Sequence, residues 1–417
     1  MPRTITTLRY ALIAVVAIIV VALFSWYLFL RAKGNALTES DARRGAGSVQ
    51  PSGGLVGSTY ENIVSSLGTR ITGESEATQG EERITQASKT PAAGIGFVTS
   101  GTTTVIRFVE RSTGYVLEKK SGRSSLERLT NTLLPQAFET IVMRNGRVIV
   151  RSLENDTIVT TVGTIASTSA GGARMLIQKA LPSGIRAIVA SPNGEEIFYI
   201  VETSEGAAGI RAAWDGSKPK QMFSSAAVGW RLRWLSDGRI VLVQNAADGV
   251  AGYAFVLAKD GTVTLLLRNI PGLTVLPKES SAAVLYGESG GDLALYAQID
   301  EKTTPTLLPI RTIAEKCIWA PSSAKATDGK FPALVAYCAV PQVSPGANFL
   351  DRWYRGEAHT ADAWWRVDAR ANSAELLYAP GNIEFDVENP VIDPKGNYIA
   401  FINAVDKSPW LLRISER

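Results

Sequence analysis

From about residue 82 onward the chain alternates short apolar runs, rich in β-branched and aromatic residues, with clusters of Gly, Asp, Asn, Ser and Pro. Apolar and polar positions exchange over short distances, and no stretch keeps the i, i+3, i+4 pattern of a long amphipathic helix. This pattern predicts an all-β body. One phrase returns along it: turn residues first, then a β-rich strand. It is plainest in "SPNGEEIFYIV" (191–201) and "DPKGNYIAFIN" (393–403). Turns aligned on Thr99, Arg144, Pro192, Ser236, Pro277, Pro321 and Pro394 are separated by 45, 48, 44, 41, 44 and 73 residues. Five of the six intervals lie near the 40–45 residues of a four-stranded propeller blade, and the sixth contains an insertion.

Each unit also repeats internally. A strand enters the turn ("GIRAIVAS", "WRLRWL", "KCIWA") and the strong strand follows it. A third strand comes next ("AGIRAAWDGS", "GYAFVLAKDG", "DLALYAQIDE", "AWWRVDARAN"), then a fourth ("KPKQMF", "VTLLLR", "PTLLPI", "AELLYA"). Such a sheet buries both faces only by stacking on its neighbours around an axis. The last unit has three strands before Arg417, and an open blade edge invites wrong pairing. The spare strand is "ERITQAS" (82–88), which precedes the first inner strand "GIGFVTS". The expectation is an all-β, seven-bladed β-propeller over 82–417, closed by the strand near 82–88, with six or eight blades as the alternatives.

Upstream the pattern is different. "YALIAVVAIIVVALFSWYLFL" (10–30) has no charge in 21 positions. As a helix it would run roughly 31 Å, the thickness of a bilayer core, with Trp26 and Tyr27 suited to an interface. A cleaved signal peptide, with Ala32-x-Gly34 or Gly34-x-Ala36 as its site, is the alternative. The apolar run is longer than a usual signal core, which favours a retained anchor. No Cys follows the run, which leaves no site for lipid attachment there. The expected order is a short cytoplasmic tail (1–9), a transmembrane helix (10–30), a flexible linker (31–81) and the propeller. The linker is rich in Ser, Gly, Thr, Glu and Ala, and fifty such residues reach roughly 40 Å.

The net charge of +4 suggests nucleic acid until it is located. Residues 1–44 hold six Lys/Arg and two Asp/Glu, which leaves 37 of each sign in the remainder. A neutral body lacks the electrostatic footprint of a DNA or RNA binder, so no nucleic-acid partner is expected.

The two cysteines, Cys317 and Cys338, fall on the first and second strands of one unit, opposite one another in a hairpin centred near residue 327. They read either as a cross-strand disulfide, which fits an oxidising compartment, or as two buried thiols. Catalytic signatures are absent: one His (His359) serves the whole chain, with no G-x-S-x-G and no H-E-x-x-H. "GGARM" and "SGGD" lack a following helix and a G-K-S/T, which argues against phosphate cradling. No catalytic residue, metal or cofactor is assigned. The one unusual segment is the insertion in the sixth interval, "PQVSPGANFLDRWYRGEAHTADAWW" (341–365). Its Asp351, Arg352, Trp353, Tyr354, Arg355, His359, Asp362 and Trp364 are of the types that anchor interfaces. The loop either projects to meet a partner or the central channel, or folds back so that its tryptophans cover a blade edge. Trp230, Trp234, Trp319 and Trp410 read as packing between blades.

The S/D-P-x-G turns before aromatic-bearing strands resemble TolB-type and WD40-like propeller repeats over roughly residues 82–417. The Gly-His and Trp-Asp punctuation of WD40 is missing apart from Trp214–Asp215. The phrases "IRFVERSTGYVLEK", "RLTNTLLPQAFE", "KCIWA…YCAVP" and "DRWYRGEAHTADAWWRVD" resemble a group of bacterial proteins with one membrane anchor and a propeller. That resemblance implies architecture and envelope location, and no activity. The resulting expectation is a non-enzymatic, single-pass protein of the bacterial cytoplasmic membrane. Its propeller lies outside the cytoplasm and binds a protein partner of the envelope. The alternative is a propeller hydrolase or lyase acting on envelope glycans or peptides.

Overall fold

A computed structural model of the chain describes residues 83–100, 103–120, 125–167, 174–321, 334–381 and 383–414. They form seven four-stranded antiparallel sheets, each with its strands in sequence order except the last. The strands of each blade are called a (innermost) to d. Strands a are Ala92–Ser100, Ala137–Val142, Ile185–Ala190, Trp230–Trp234, Thr274–Pro277, Cys317–Trp319 and Val387–Ile392, for blades 1 to 7. The seven turns aligned by sequence are the a–b hairpins of these blades. In blade 7, strand c (Pro409–Arg413) pairs antiparallel with Ile84–Gln86, with Thr85 opposite Leu411. Ala87 N–H donates to Pro409 O at 2.8 Å and Arg413 N–H to Arg83 O at 2.8 Å. The N-terminal strand therefore supplies strand d of the last blade, and the ring is closed by backbone hydrogen bonds. The expected span at 10–30 and linker at 31–81 lie outside the described residues; among those described, no helix is long and apolar enough to cross a membrane.

The blades hold together through apolar faces that no single sheet could bury. Between blades 3 and 4, Phe198, Ile200 and Phe223 pack on Trp230, Trp234 and Leu242, with Phe223 and Trp230 edge to face at 5.4 Å. Between blades 6 and 7, Tyr337 and Trp364 meet Phe385, Phe401 and Trp410. Trp319 Nε1 donates to Leu276 O of blade 5 at 3.1 Å. Strands a of blades 1 and 2 approach so closely that only small residues fit between them. A Cβ on Gly94 of blade 1 would lie 2.1 Å from Thr140 O of blade 2. Cys317 and Cys338 are directly opposed on strands a and b of blade 6 and are joined by a disulfide.

Alternating strand direction sorts the connections onto two faces. The a–b and c–d turns lie on the lower face, and the b–c turns and blade-to-blade links on the upper. On the lower face Arg144, in the a–b turn of blade 2, pairs with Glu279, in that of blade 5, at 3.1 Å. These blades are three apart in a ring of seven, so the pair reaches across the axis. Ser236 of blade 4 donates to Glu279 O from both its N–H, at 3.0 Å, and its hydroxyl, at 2.6 Å.

Candidate functional site

The insertion is the b–c connection of blade 6 and therefore belongs to the upper face. It contains a six-residue helix, α1 (Phe349–Tyr354), entered through Asn348 in the left-handed region (φ 54°). Phe349 and Leu350 are buried and pack on Leu293 and Ile313 of the upper face. Asp351 N–H donates to Asp248 Oδ2 at 2.9 Å, and Asp248 N–H donates to Asp351 Oδ1 at 3.1 Å. Asp248 lies in the b–c turn of blade 4, and Ser289 of blade 5 donates its hydroxyl to the same carboxylate. The helix is thus fastened to blades 4 and 5. Its Tyr354 hydroxyl donates to Glu315 Oε1 at 2.9 Å and accepts from Arg231 at 3.0 Å, while Arg231 also pairs with Glu315. Burial, with Glu315 alongside, holds the Tyr354 phenol well above its usual range.

Behind α1 is a buried charge network that no single stretch of sequence contains. Lys316, fully buried, uses all three N–H donors, to Thr360 Oγ1 at 2.7 Å, Asp362 Oδ2 at 2.5 Å and Asp386 Oδ1 at 2.5 Å. Asp386 also accepts Trp353 Nε1–H at 2.9 and 3.1 Å, the Thr360 hydroxyl at 3.1 Å and His359 Nδ1–H at 2.8 Å. The two carboxylates differ. Burial opposes the charge of Asp386, but Lys316 and these donors outweigh it and hold its carboxyl below the usual range. Asp362 is pushed up by burial, which Lys316 and the Val387 N–H only partly offset. Its Oδ2 takes both donors, and its buried Oδ1 meets no protein donor. A fully buried charge placed among paired groups of this kind can fix structure or tune chemistry, and geometry decides which.

The eight residues singled out in the insertion therefore divide. Arg352, Arg355 and His359 face solvent, with Arg355 paired to Glu357 at 2.9 Å and the His359 side chain 40% exposed. Asp351, Trp353 and Tyr354 are half-buried and tied into the ring. Asp362 and Trp364 are fully buried, Trp364 against Phe401 at 5.5 Å, and belong to the core of blades 6 and 7. His359 and Asp362 share the Lys316–Asp386 network, whereas Asp351 bonds to Asp248. Among the described residues, no three His, Cys, Asp or Glu side chains are arranged to hold a metal ion.

Sequence reasoning missed Lys316, Asp386, Glu315, Arg231 and Asp248. The available signal was small: a lysine inside the apolar run "IAEKCIWA", and an aspartate between Phe385 and Val387. The upper face also carries an open cavity of about 750 Å³ over blades 7, 1 and 2, walled by Phe138, Leu153, Ile158 and Val405, with Arg111 and Lys407 among its charged residues.

No protein-family model matches the chain, and no curated protein matches it. Solved structures are similar to the chain at low identity. A streptogramin B lyase is 11% identical over 80% of this chain and 97% of that one, with a TM-score of 0.49. An inactive variant of virginiamycin B lyase from Staphylococcus aureus, solved with quinupristin, is 14% identical over 80% and 99%, with a TM-score of 0.47. TolB from Acinetobacter baumannii is 10% identical over 75% and 64%, with a TM-score of 0.36.

Proposed function

We propose that this chain is a membrane-anchored β-propeller of the bacterial cell envelope, lying outside the cytoplasm, that binds another protein on its upper face and acts as a scaffold. The observation that carries this reading is how the insertion is held. Asp351, Asp362 and Trp353 are consumed in bonds to the ring, through Asp248, Lys316 and Asp386, while Arg352, Arg355 and His359 remain outward. The result is a polar platform on the upper face, which elsewhere carries an apolar hollow; polar and apolar surface of both kinds is what interfaces are built from. The Cys317–Cys338 disulfide supports an oxidising compartment. The apolar run at 10–30 supports a single-pass anchor.

Site-specific photocrosslinking in intact cells tests it. A photoreactive side chain at Arg355 or Val405, on the upper face, is expected to trap one discrete partner. The same group at Asp237 or Lys395, on the lower face, is expected to trap none. Adducts from the lower positions only, or from no position, contradict the reading. For the anchor, the expected result is a protein retained in alkali-washed membranes whose propeller is cut by protease added outside the cytoplasmic membrane. A freely soluble protein would remove that part.

One observation favours a second reading, a propeller hydrolase or lyase acting on envelope glycans or peptides. His359 is half-exposed and its Nδ1–H is oriented by the buried Asp386 at 2.8 Å, which is how a general base is held. That reading requires turnover of cell-wall glycans or peptides that His359→Gln abolishes without lowering the melting temperature.

A further inference from the structure

The cavity over blades 7, 1 and 2 stands apart from the insertion and is built from different elements. Its walls come from the b–c turns of blades 7, 1 and 2 and the links entering blades 1 and 2. Phe138 is held under the Arg151 guanidinium at 5.4 Å. Arg151 pairs with Glu139 and donates to Ile185 O at 3.0 Å and Arg186 O at 3.1 Å. That wall is therefore rigid before anything binds, which lowers the ordering cost of binding.

Two features say what the cavity takes. The first is apolar surface where turns are ordinarily polar: Leu153 is 39% exposed and Val405 57% exposed, at the tips of turns on blades 2 and 7. Both tips also line the cavity, and a protein segment lying across the rim covers the two together with the wall below them. The second is charge. Lys407 is paired with Glu388 at 2.5 Å. Asp406 Oδ1 accepts from Ser408 N–H at 2.9 Å and Ser408 Oγ at 2.6 Å. Arg111 has its backbone fastened on both sides, N–H to Pro91 O at 2.9 Å and O from Ala137 N–H at 3.0 Å. Its guanidinium meets no partner among the described residues. The cavity thus presents the Arg111 cation, without an ion-pair partner among the described residues, beside an apolar wall, with the Ser408-bonded Asp406 carboxylate also on its lining. Its volume lies within the roughly 300–1,000 Å³ of ligand sites and holds a few side chains.

We propose that this cavity receives a peptide segment of the partner protein, with a large apolar side chain against Phe138, Leu153, Ile158 and Val405 and a neighbouring carboxylate on Arg111. The proposal rests on the reading that the upper face binds a protein, and it names the chemistry recognised there. A guanidinium grips a carboxylate through paired, charge-assisted hydrogen bonds, and an amide of the same shape does not replace them.

Fluorescence anisotropy with the full-length protein in detergent tests this. The probes are end-blocked labelled hexapeptides containing phenylalanine with aspartate on either side, and the same peptides with asparagine for aspartate. Dodecanoate serves as a free carboxylate amphiphile. An aspartate peptide is expected to bind about tenfold or more tightly than its asparagine counterpart. Arg111→Gln is expected to erase that difference, and Val405→Asp or Leu153→Asp to weaken both peptides. All three sites are at the surface, so unchanged melting curves serve as the folding control. Equal binding of the two peptides, discrimination that survives Arg111→Gln, binding of neither, or binding of dodecanoate alone would each overturn the proposal. Photocrosslinks from Arg355 distinguish the two failures. If they persist, only the cavity assignment is lost; if they vanish as well, the protein-binding reading is lost with it.

Discussion

Lys316 ends the short 3-10 turn Ala314–Lys316 just before strand a of blade 6; its side chain has no contact with water and is surrounded by Asp362, Asp386 and Thr360. A buried ion pair is weak evidence of net stabilisation, because desolvation offsets attraction, but removing one member leaves uncompensated charge. Lys316→Met is therefore expected to cost about 3–5 kcal/mol in urea unfolding. The two carboxylates should part company. Asp386 titrates below the usual range in the folded state, so its contribution is present above the unfolded pKa and is lost as pH falls through the folded value. Asp362 is raised, so its contribution has the opposite sign: it is present below the unfolded pKa and is lost as pH rises through the folded value. At pH 7, Asp386→Asn should cost about 2 kcal/mol, and Asp362→Asn should be close to neutral or stabilising. Equal losses would show that the two do not differ. None of this was legible along the chain, since Lys316 and Asp386 are 70 residues apart and no local period links them.

Elements were legible where they obey a local rule. Each a–b turn pairs Gly, Asp, Asn or Ser with a following β-branched or aromatic run, and that signal survived in all seven blades. The closing strand could be read because three strands need a fourth. The helix Phe349–Tyr354 could not be, since six residues are too few to establish a period and its apolar face is set by Leu293 and Ile313. Two consequences follow at this scale. Deleting residues 1–82 is expected to leave the propeller folded. Deleting residues 1–88 should expose the strand Pro409–Arg413 and produce aggregation, read by light scattering and by fast amide exchange in blade 7. If both truncations behave alike, closure by Ile84–Gln86 is not needed for stability. The disulfide closes a span of 21 residues, so replacing both cysteines with alanine should cost about 3 kcal/mol in guanidinium unfolding. A variant of unchanged midpoint would place no stabilisation in that bond.

At the scale of the molecule, repetition dictates a ring, and the interruption of repetition dictates where its two halves differ. The insertion covers the upper face over blades 4 to 6, and the cavity opens over blades 7, 1 and 2. The neutrality of the body after residue 44 means that recognition depends on local placement of a few charges such as Arg111, and not on a long-range field. Below, Arg144 and Glu279 bring opposite blades into touch. With both replaced by cysteine, a short bismaleimide is expected to link them within one molecule, detected by mass spectrometry after proteolysis. Products joining only separate molecules would count against that contact. That contact joins two blades that are not neighbours in the ring, so a displacement of one lower turn is felt three blades away without passing through the sheets between them.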